Sequence, residues 1–277
     1  MYTIREAINE AKRCLHCKVP QCKKACPIEN NIPDFIHELS KGNMGEAMNV
    51  LHEKTNLPAI CGRVCPHEKQ CEGHCVLGKK GRPVRIGKLE SFIAQCDSDM
   101  QLTHERIPEK TRGKVAVIGS GPAGLTVAGD LARQGFHVTI FEGQPEAGGV
   151  LMYGIPEYRL PKAVVRNEIK KIEDLGVHFV RNCLVGTPES GVTVDSLFAQ
   201  GFDAIFMGTG TALPQNLSIP GSDLRRVTQS TDFLHNVNAY VEGALPMEMV
   251  PLRKGDKVAV IGGGNVAMDA ARTARRL

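Results

Sequence analysis

Eight cysteines lie within the first 75 residues, in two tight groups, and no other feature limits the possible folds so strongly. The first group is Cys14-x2-Cys17-x4-Cys22-x3-Cys26, followed by Pro27. The second is Cys61-x3-Cys65-x5-Cys71-x3-Cys75, with Pro66 directly after Cys65. Thiols at this density must be cross-linked or bind metal, and the Cys-Pro punctuation resembles iron–sulfur ligation more than zinc.

The compartment decides between cross-link and metal. The N-terminus has no apolar stretch of signal-peptide length, and no apolar run is long enough to span a bilayer. A cytoplasmic location is therefore expected, where ten cysteines stay as thiols or bind metal. Cys96 and Cys183 stand alone and read as small packed hydrophobes. The net charge of +4 gives no reason to expect nucleic acid as a partner. Lys79, Lys80, Arg82, Arg85 and Lys88 form a local basic stretch, read first as a solvated face and second as a dock for an acidic partner.

The chain divides by texture. Residues 1–110 hold the cysteines and read as short helices joined by loops. Thr3-x-x-Glu6 is a candidate capping box, opening a helix whose apolar face is Ile4, Ala7, Ile8, Ala11 and Leu15. A second helix is expected from Pro33, using Phe35, Ile36 and Leu39, and a third around Ala47, Met48 and Leu51. After the polar linker 108–113 the pattern becomes strand, glycine turn, helix. It occurs at Lys114–Ile118 and again at Lys257–Ile261, with further strands at Val138–Phe141 and Phe202–Met207 and an amphipathic helix over Lys162–Leu175 ending before Gly176. This pattern indicates α/β architecture with a parallel sheet. The expected domains are 1–110, 111–230 and 231–277.

Gly119-Ser-Gly121-Pro122-Ala123-Gly124 has a strand before it, a helix after it, and Glu142 about twenty residues on, which together make the dinucleotide fingerprint. Gly119 permits the tight turn, Gly121 admits the pyrophosphate, and Gly124 lets helix and strand approach; Glu142 is placed to accept hydrogen bonds from a ribose. The second motif is Gly262-Gly-Gly264-Asn265-Val266-Ala267. The sequence stops at Leu277, before the next strand and before any residue that would read the ribose. The second nucleotide domain is accordingly expected to be incomplete, with NAD and NADP indistinguishable. Two motifs predict two dinucleotides, FAD at the first and a nicotinamide at the second.

Taken together, Cys14-Leu-His-Cys17, Cys22-x3-Cys26-Pro27, Cys61-Gly-Arg-Val-Cys65-Pro66, the run Gly148-Gly-Val-Leu-Met-Tyr-Gly-Ile-Pro-Glu-Tyr-Arg-Leu-Pro161 and Gly262-Gly-Gly-Asn-Val-Ala-Met-Asp269 resemble the glutamate synthase small-subunit family. Its relatives include the large subunit of the NADH-dependent ferredoxin:NADP oxidoreductase and the N-terminal part of dihydropyrimidine dehydrogenase. The resemblance spans essentially the whole chain. It implies an N-terminal all-α iron–sulfur domain with two [4Fe–4S] clusters, a Rossmann-like FAD domain, and the beginning of a second Rossmann-like NAD(P)H domain. The FAD contacts it implies are the 119–124 turn, Glu142, the loop from Gly149 and Val150 to Arg159, and Thr209.

The resemblance also implies interleaved ligation: Cys14, Cys17, Cys22 and Cys75 on one cluster, and Cys26, Cys65, Cys71 and Glu90 on the other. Ile86, Leu89, Glu90 and Ile93 fall on one helical stripe, so Glu90 interrupts an apolar face where an iron would compensate its charge. Cys61 is left as a packed thiol. No residue is singled out as a general acid or base. The function implied is transfer of electrons from NAD(P)H through FAD and the clusters to a partner: glutamate synthase large subunit, or a ferredoxin-linked or dihydropyrimidine dehydrogenase subunit. The alternative from another class is a zinc-stabilised nucleotide-binding assembly module, using His16, His67 or His74 with the thiols.

Overall fold

The computed structural model describes residues 2–103, 105–186, 191–211, 213 and 217–277. They form two compact units, one of residues 1–108 with 170–175 and one of residues 109–169 with 176–277.

The first unit is helical: α1 (Ile4–Ala11), α2 (Gln21–Lys24), α3 (Ile32–Lys41), α4 (Met44–His52), α5 (Pro58–Val64) and α6 (Ile86–Met100), with a 3-10 turn at Val76–Lys79. The capping box at α1 is present in both directions, from the Glu6 amide to the Thr3 hydroxyl and from the Thr3 amide to the Glu6 carboxylate. The expected apolar faces make the core. Phe35, Leu39, Met48, Leu51, Leu89 and Ile93 are fully buried, each contributing roughly 1.5–3 kcal/mol by leaving water. Gly62 lets α5 lie directly on α6, because a Cβ there would stand 2.5 Å from the Ser91 amide nitrogen. That contact sets Cys61 and Cys65 beside the helix that carries Glu90.

The second unit is built on β1 (Lys114–Ile118), β2 (His137–Phe141), β3 (His178–Val180) and β4 (Ala204–Met207), all parallel in the order β3-β2-β1-β4. This is the doubly wound order, and ligands bind such sheets where the strand order reverses, at the carboxyl end of β1. The connecting helices are α7 (Pro122–Arg133), α8 (Val150–Tyr153), α9 (Lys162–Asp174), α10 (Val194–Ala199), α11 (Ser230–Val241) and α12 (Asn265–Ala274).

One expectation fails. Residues 257–261 do not form a strand, and Val258 and Ile261 are exposed, the latter by 70%. A β-branched run becomes a parallel strand only when neighbours pair its amides and cover its faces. No strand pairs with this run among the described residues. The helix after it forms nonetheless, since Ala270 packs with Phe233, Leu234 and Val237 of α11.

Candidate functional site

Two groups of thiols stand in the helical unit. Cys14, Cys17, Cys22 and Cys75 line one cavity, together with apolar side chains including Leu15, Ile32, Ile36 and Leu77. His16, between two of these thiols, adopts the left-handed conformation (φ 48°), which few non-glycine residues adopt and which turns the loop sharply. Arg13 ties the loop to the far segment by donating to the carbonyls of Arg82 (2.5 Å) and Pro83 (3.2 Å). Cys75 thus joins the first cysteine segment, although 48 residues separate it from Cys26. Burial pushes the Cys22 thiol up to about 11 and raises that of Cys14.

The second group gathers Cys26, Cys65, Cys71 and Glu90. Electrostatic repulsion from Glu90 and Cys26 acts on both Cys65 and Cys71. Burial, then Glu90, pushes the Cys71 thiol up to about 12. Cys65 is lowered instead, chiefly by a hydrogen bond from the Cys61 thiol. Cys61 itself lies 3.7 Å from the Thr55 hydroxyl. Glu90 is 6% exposed, and the buried Asn30 amide donates to it at 3.5 Å. The other polar atom of that amide, Asn30 Oδ1, is buried with no hydrogen-bond partner. A carboxylate buried beside three thiols, whose negative charges would repel one another, is a donor set that a cationic inorganic centre would neutralise. Asn30 was not legible in the sequence, since an isolated Asn carries no pattern.

Among the described residues, no group of three or more His, Cys, Asp or Glu side chains could hold a metal ion as they stand. The thiols surround a space rather than meeting at the ~2.3 Å reach of one zinc. The histidines named as possible zinc ligands have other partners. His67 Nε2 stands 3.0 Å from the Cys61 carbonyl, His74 Nδ1 lies 2.7 Å from the Gln70 carbonyl, and the His16 ring meets His37 edge-on at 4.9 Å. A donor set of seven thiols and one carboxylate in two cages suits iron–sulfur clusters.

In the second unit the first glycine turn sits at the carboxyl end of β1. A Cβ at Gly119 (φ 93°) would stand 2.5 Å from the Gly208 carbonyl, and one at Gly124 would stand 2.0 Å from that of Gly119. The turn is therefore closed by the backbone of Gly208 and Thr209 after β4. Gly121 faces open space, while a Cβ at Gly149 would come within 2.9 Å of the Gly121 Cα. Pro122 and Ala123 open α7. Glu142 is buried and accepts from the Ser120 amide (3.0 Å), the Ser120 hydroxyl and the Gln144 amide (2.8 Å). Ser120 also receives the Gly148 amide at 2.9 Å, so one hydroxyl links three parts of the cradle. A carboxylate has about four acceptor positions, which leaves room for a ribose hydroxyl. The open concavity at Gly121, walled by backbone, suits a dinucleotide pyrophosphate. Ser120 fills a position that the glycine pattern leaves unspecified, so the motif could not reveal it.

Val150 starts α8, whose carboxyl end is held by the Lys162 ammonium on the Leu151 and Ile155 carbonyls and by Asn238 on the Tyr153 carbonyl (2.7 Å). Burial lowers Lys162 to about 8. Arg159, expected to face the flavin, pairs with Asp269 of α12 at 2.5 Å. In the second motif Gly262 (φ 127°) makes the turn, Gly264 caps α12, and Asn265, Val266 and Ala267 form its first turn.

Comparison with known proteins agrees with this division. Residues 1–102 match the family described as dihydropyrimidine dehydrogenase domain II, 4Fe-4S cluster. Residues 113–277 match the pyridine nucleotide-disulphide oxidoreductase family. A glutamate synthase [NADPH] small chain of Halomonas elongata is 38% identical over 99% of this chain and 58% of its own length. The NAD-dependent dihydropyrimidine dehydrogenase subunit PreT of Salmonella typhimurium is 35% identical over 98% of this chain and 62% of its own. A solved 2-naphthoyl-CoA reductase shares the fold, with a TM-score of 0.50 and 22% identity over 90% of this chain and 35% of that one. The chain thus spans about half the length of the curated relatives it matches. It belongs to the pyridine nucleotide-disulphide oxidoreductase family and carries an iron–sulfur domain at its N-terminus.

Proposed function

We propose that this chain belongs to an NAD(P)H-dependent electron-transfer flavoprotein, and that its partner is a glutamate synthase large subunit. The observation that supports this most is the pairing, in one chain, of two cysteine cages with a closed dinucleotide turn. The domains follow as 1–110 for two [4Fe–4S] clusters, 111–230 for FAD and 231–277 for the start of the NAD(P)H domain. FAD bound there would supply the conversion of a two-electron hydride into single electrons, and clusters held by the thiols would relay them.

The residues bind and orient rather than exchange protons. Gly121, Ala123 and Gly124 present backbone amides to the FAD pyrophosphate, Gly119, whose amide donates to the Phe141 carbonyl, makes the turn, and Pro122 opens the helix; Glu142 holds the ribose, and Gly149, Val150 and Thr209 wall the site. Gly262, Gly264, Asn265, Val266 and Ala267 offer the same surface to the nicotinamide dinucleotide. Arg159, one nitrogen of which pairs with Asp269, keeps its place among the FAD contacts. Cys14, Cys17, Cys22 and Cys75 hold one cluster, and Cys26, Cys65, Cys71 and Glu90 the other.

The likeness to PreT supports a second reading, in which the partner is a dihydropyrimidine dehydrogenase subunit. A ferredoxin-linked transhydrogenase subunit fits the same chain. Anaerobic reconstitution tests the common core. Brown protein with iron and sulfide near eight each per chain is expected from two four-iron clusters; colourless protein that retains zinc would overturn it. Co-purification of the native protein identifies the partner.

A further inference from the structure

The loop from Gly149 to Arg159 touches the first glycine turn at its start and the helix of the second glycine motif at its end. Gly149 lies against the first turn, where a Cβ would come within 2.9 Å of the Gly121 Cα. Tyr158 and Arg159 meet one face of α12, which the second motif opens. Arg159 Nη1 donates to Asp269 Oδ2 at 2.5 Å, and the Tyr158 hydroxyl donates to the Asp269 carbonyl at 3.2 Å. The guanidinium carbons of Arg272 and Arg276 stand 4.4 and 4.0 Å from the centre of the Tyr158 ring, each a cation–π contact. Positions 269, 272 and 276 recur at helical spacing, so α12 grips the end of the loop along one stripe. The ion pair itself is buried on one side only: the Asp269 side chain is 6% exposed and that of Arg159 26%. Nη1 is the only Arg159 side-chain nitrogen with a hydrogen bond among the described residues. A guanidinium carries five donors in one rigid plane. Once Nη1 is committed to Asp269, the rest of the fork is aimed and unspent.

We propose that Asp269 is a positioning residue for the flavin: it fixes Arg159 so that the remaining guanidinium donors face a phosphate of FAD. The inference rests on Arg159 being an FAD contact, and adds the residue that aims it. A free arginine would lose its rotamer freedom on meeting the ligand. One already held by Asp269 has lost that freedom in folding, so the phosphate meets a preorganised fork. Planar paired donors match phosphate oxygens, a geometry that a lysine ammonium in the same place does not offer. A pair that only joined loop to helix would have no use for the exposed donors. An apolar contact would make the same joint without desolvating a carboxylate. Asp269 lies two residues beyond Ala267, the last position of the second glycine motif. A residue next to one dinucleotide motif thereby serves the site of the other, and flavin retention depends on how α12 is packed.

The test uses native protein stripped of flavin and titrated with FAD. ADP and adenosine are then used to displace the FAD, so that only the first site is read. D269N should weaken FAD binding about tenfold, the effect of losing one oriented charge-assisted hydrogen bond. ADP, which carries phosphates, should lose about the same factor as a competitor, and adenosine, which has none, less than about twofold. R159K keeps the charge without the fork and should behave like D269N. R159A alone would strand a buried carboxylate, so the arginine is removed in D269N/R159A, which should bind FAD no more tightly than D269N. E242Q removes the ion pair of Arg166 with Glu242 elsewhere in the same unit, and should leave all three affinities within about twofold of wild type. D269N that binds FAD like wild type, or that weakens ADP and adenosine alike, would overturn the positioning role. Wild-type affinity in D269N/R159A would instead remove Arg159 from the FAD contacts. Wild type that takes up no FAD would remove the flavin reading beneath both.

Discussion

The cage of Cys14, Cys17, Cys22 and Cys75 is half-exposed at every thiol, whereas the other is anchored by a buried thiol, Cys71, and a buried carboxylate, Glu90. Both use thiols at similar sequence density. They differ in what surrounds them. Loops rich in lysine and arginine flank the first, while the second lies at the end of α5 and beside α6, with Asn30 bonded to its carboxylate. A metal group at the surface can exchange electrons with a partner. One in the interior is tuned by burial, ligand identity and nearby hydrogen bonds.

The comparison breaks most sharply if the interleaving is wrong. Cys75→Ser should abolish the same EPR signal as Cys14→Ser and lower iron to about half of the eight expected. Cys26→Ser should abolish the signal lost in Cys71→Ser. If Cys75→Ser instead matches Cys71→Ser, the cages follow the sequence groups.

Metal removal should expose the next difference. In metal-free protein at pH 8, Cys65, lowered by the Cys61 hydrogen bond, should alkylate at least about tenfold faster than Cys22 or Cys71, which burial pushes up to about 11 and 12. Mass-spectrometric peptide mapping measures this. The sign for stability follows. Cys71 ionises near 9 when unfolded and near 12 when folded, so the folded form holds its proton longer. The contribution of Cys71 is present below pH 9 and lost as pH rises toward 12. Chemical denaturation of metal-free wild type and Cys71→Ala across that range should show a larger alkaline loss in wild type.

Substitutions at the carboxylate sharpen the contrast without dismantling either cage. Glu90→Cys should shift the interior cluster's potential through ligand identity, and Asn30→Leu should lower it by removing a donor to the carboxylate. Redox titration should find the surface cluster unmoved by both. Asn30→Leu should change stability little, because it removes an orphaned polar atom along with the hydrogen bond. The smallest effect is expected at Thr3→Ala, which removes the capping box of α1 and costs about 1 kcal/mol. It should lower Tm and leave both EPR signals intact.

Much of the fold was legible because periodicity and capping are local. Thr3 and Glu6, the stripe of Phe35, Ile36 and Leu39, and the strands at 114–118 and 138–141 were all read from neighbours within a few residues, the second strand starting one residue earlier in the structure. The run at 257–261 was misread because a strand also needs partners, which composition does not report. In the candidate site, the glycine turns and the thiols were visible by type and spacing. Ser120, Asn30 and Lys162 were not, since each acts on a residue 11 to 60 positions away.

By itself the sequence determined the chemistry available: eight thiols in two groups, a buried-stripe carboxylate at Glu90, and two glycine turns between strand-like and helix-like runs. Only the tertiary structure decided the pairing of these parts. It carried Cys75 across to Cys14, set Cys26 beside Cys71, buried Glu90 under Asn30, and turned Arg159 toward Asp269. Spacing along a chain fixes only what neighbours can reach. Which distant groups share a cavity depends on how the helices pack, and here that depends on contacts as short as Gly62 against Ser91.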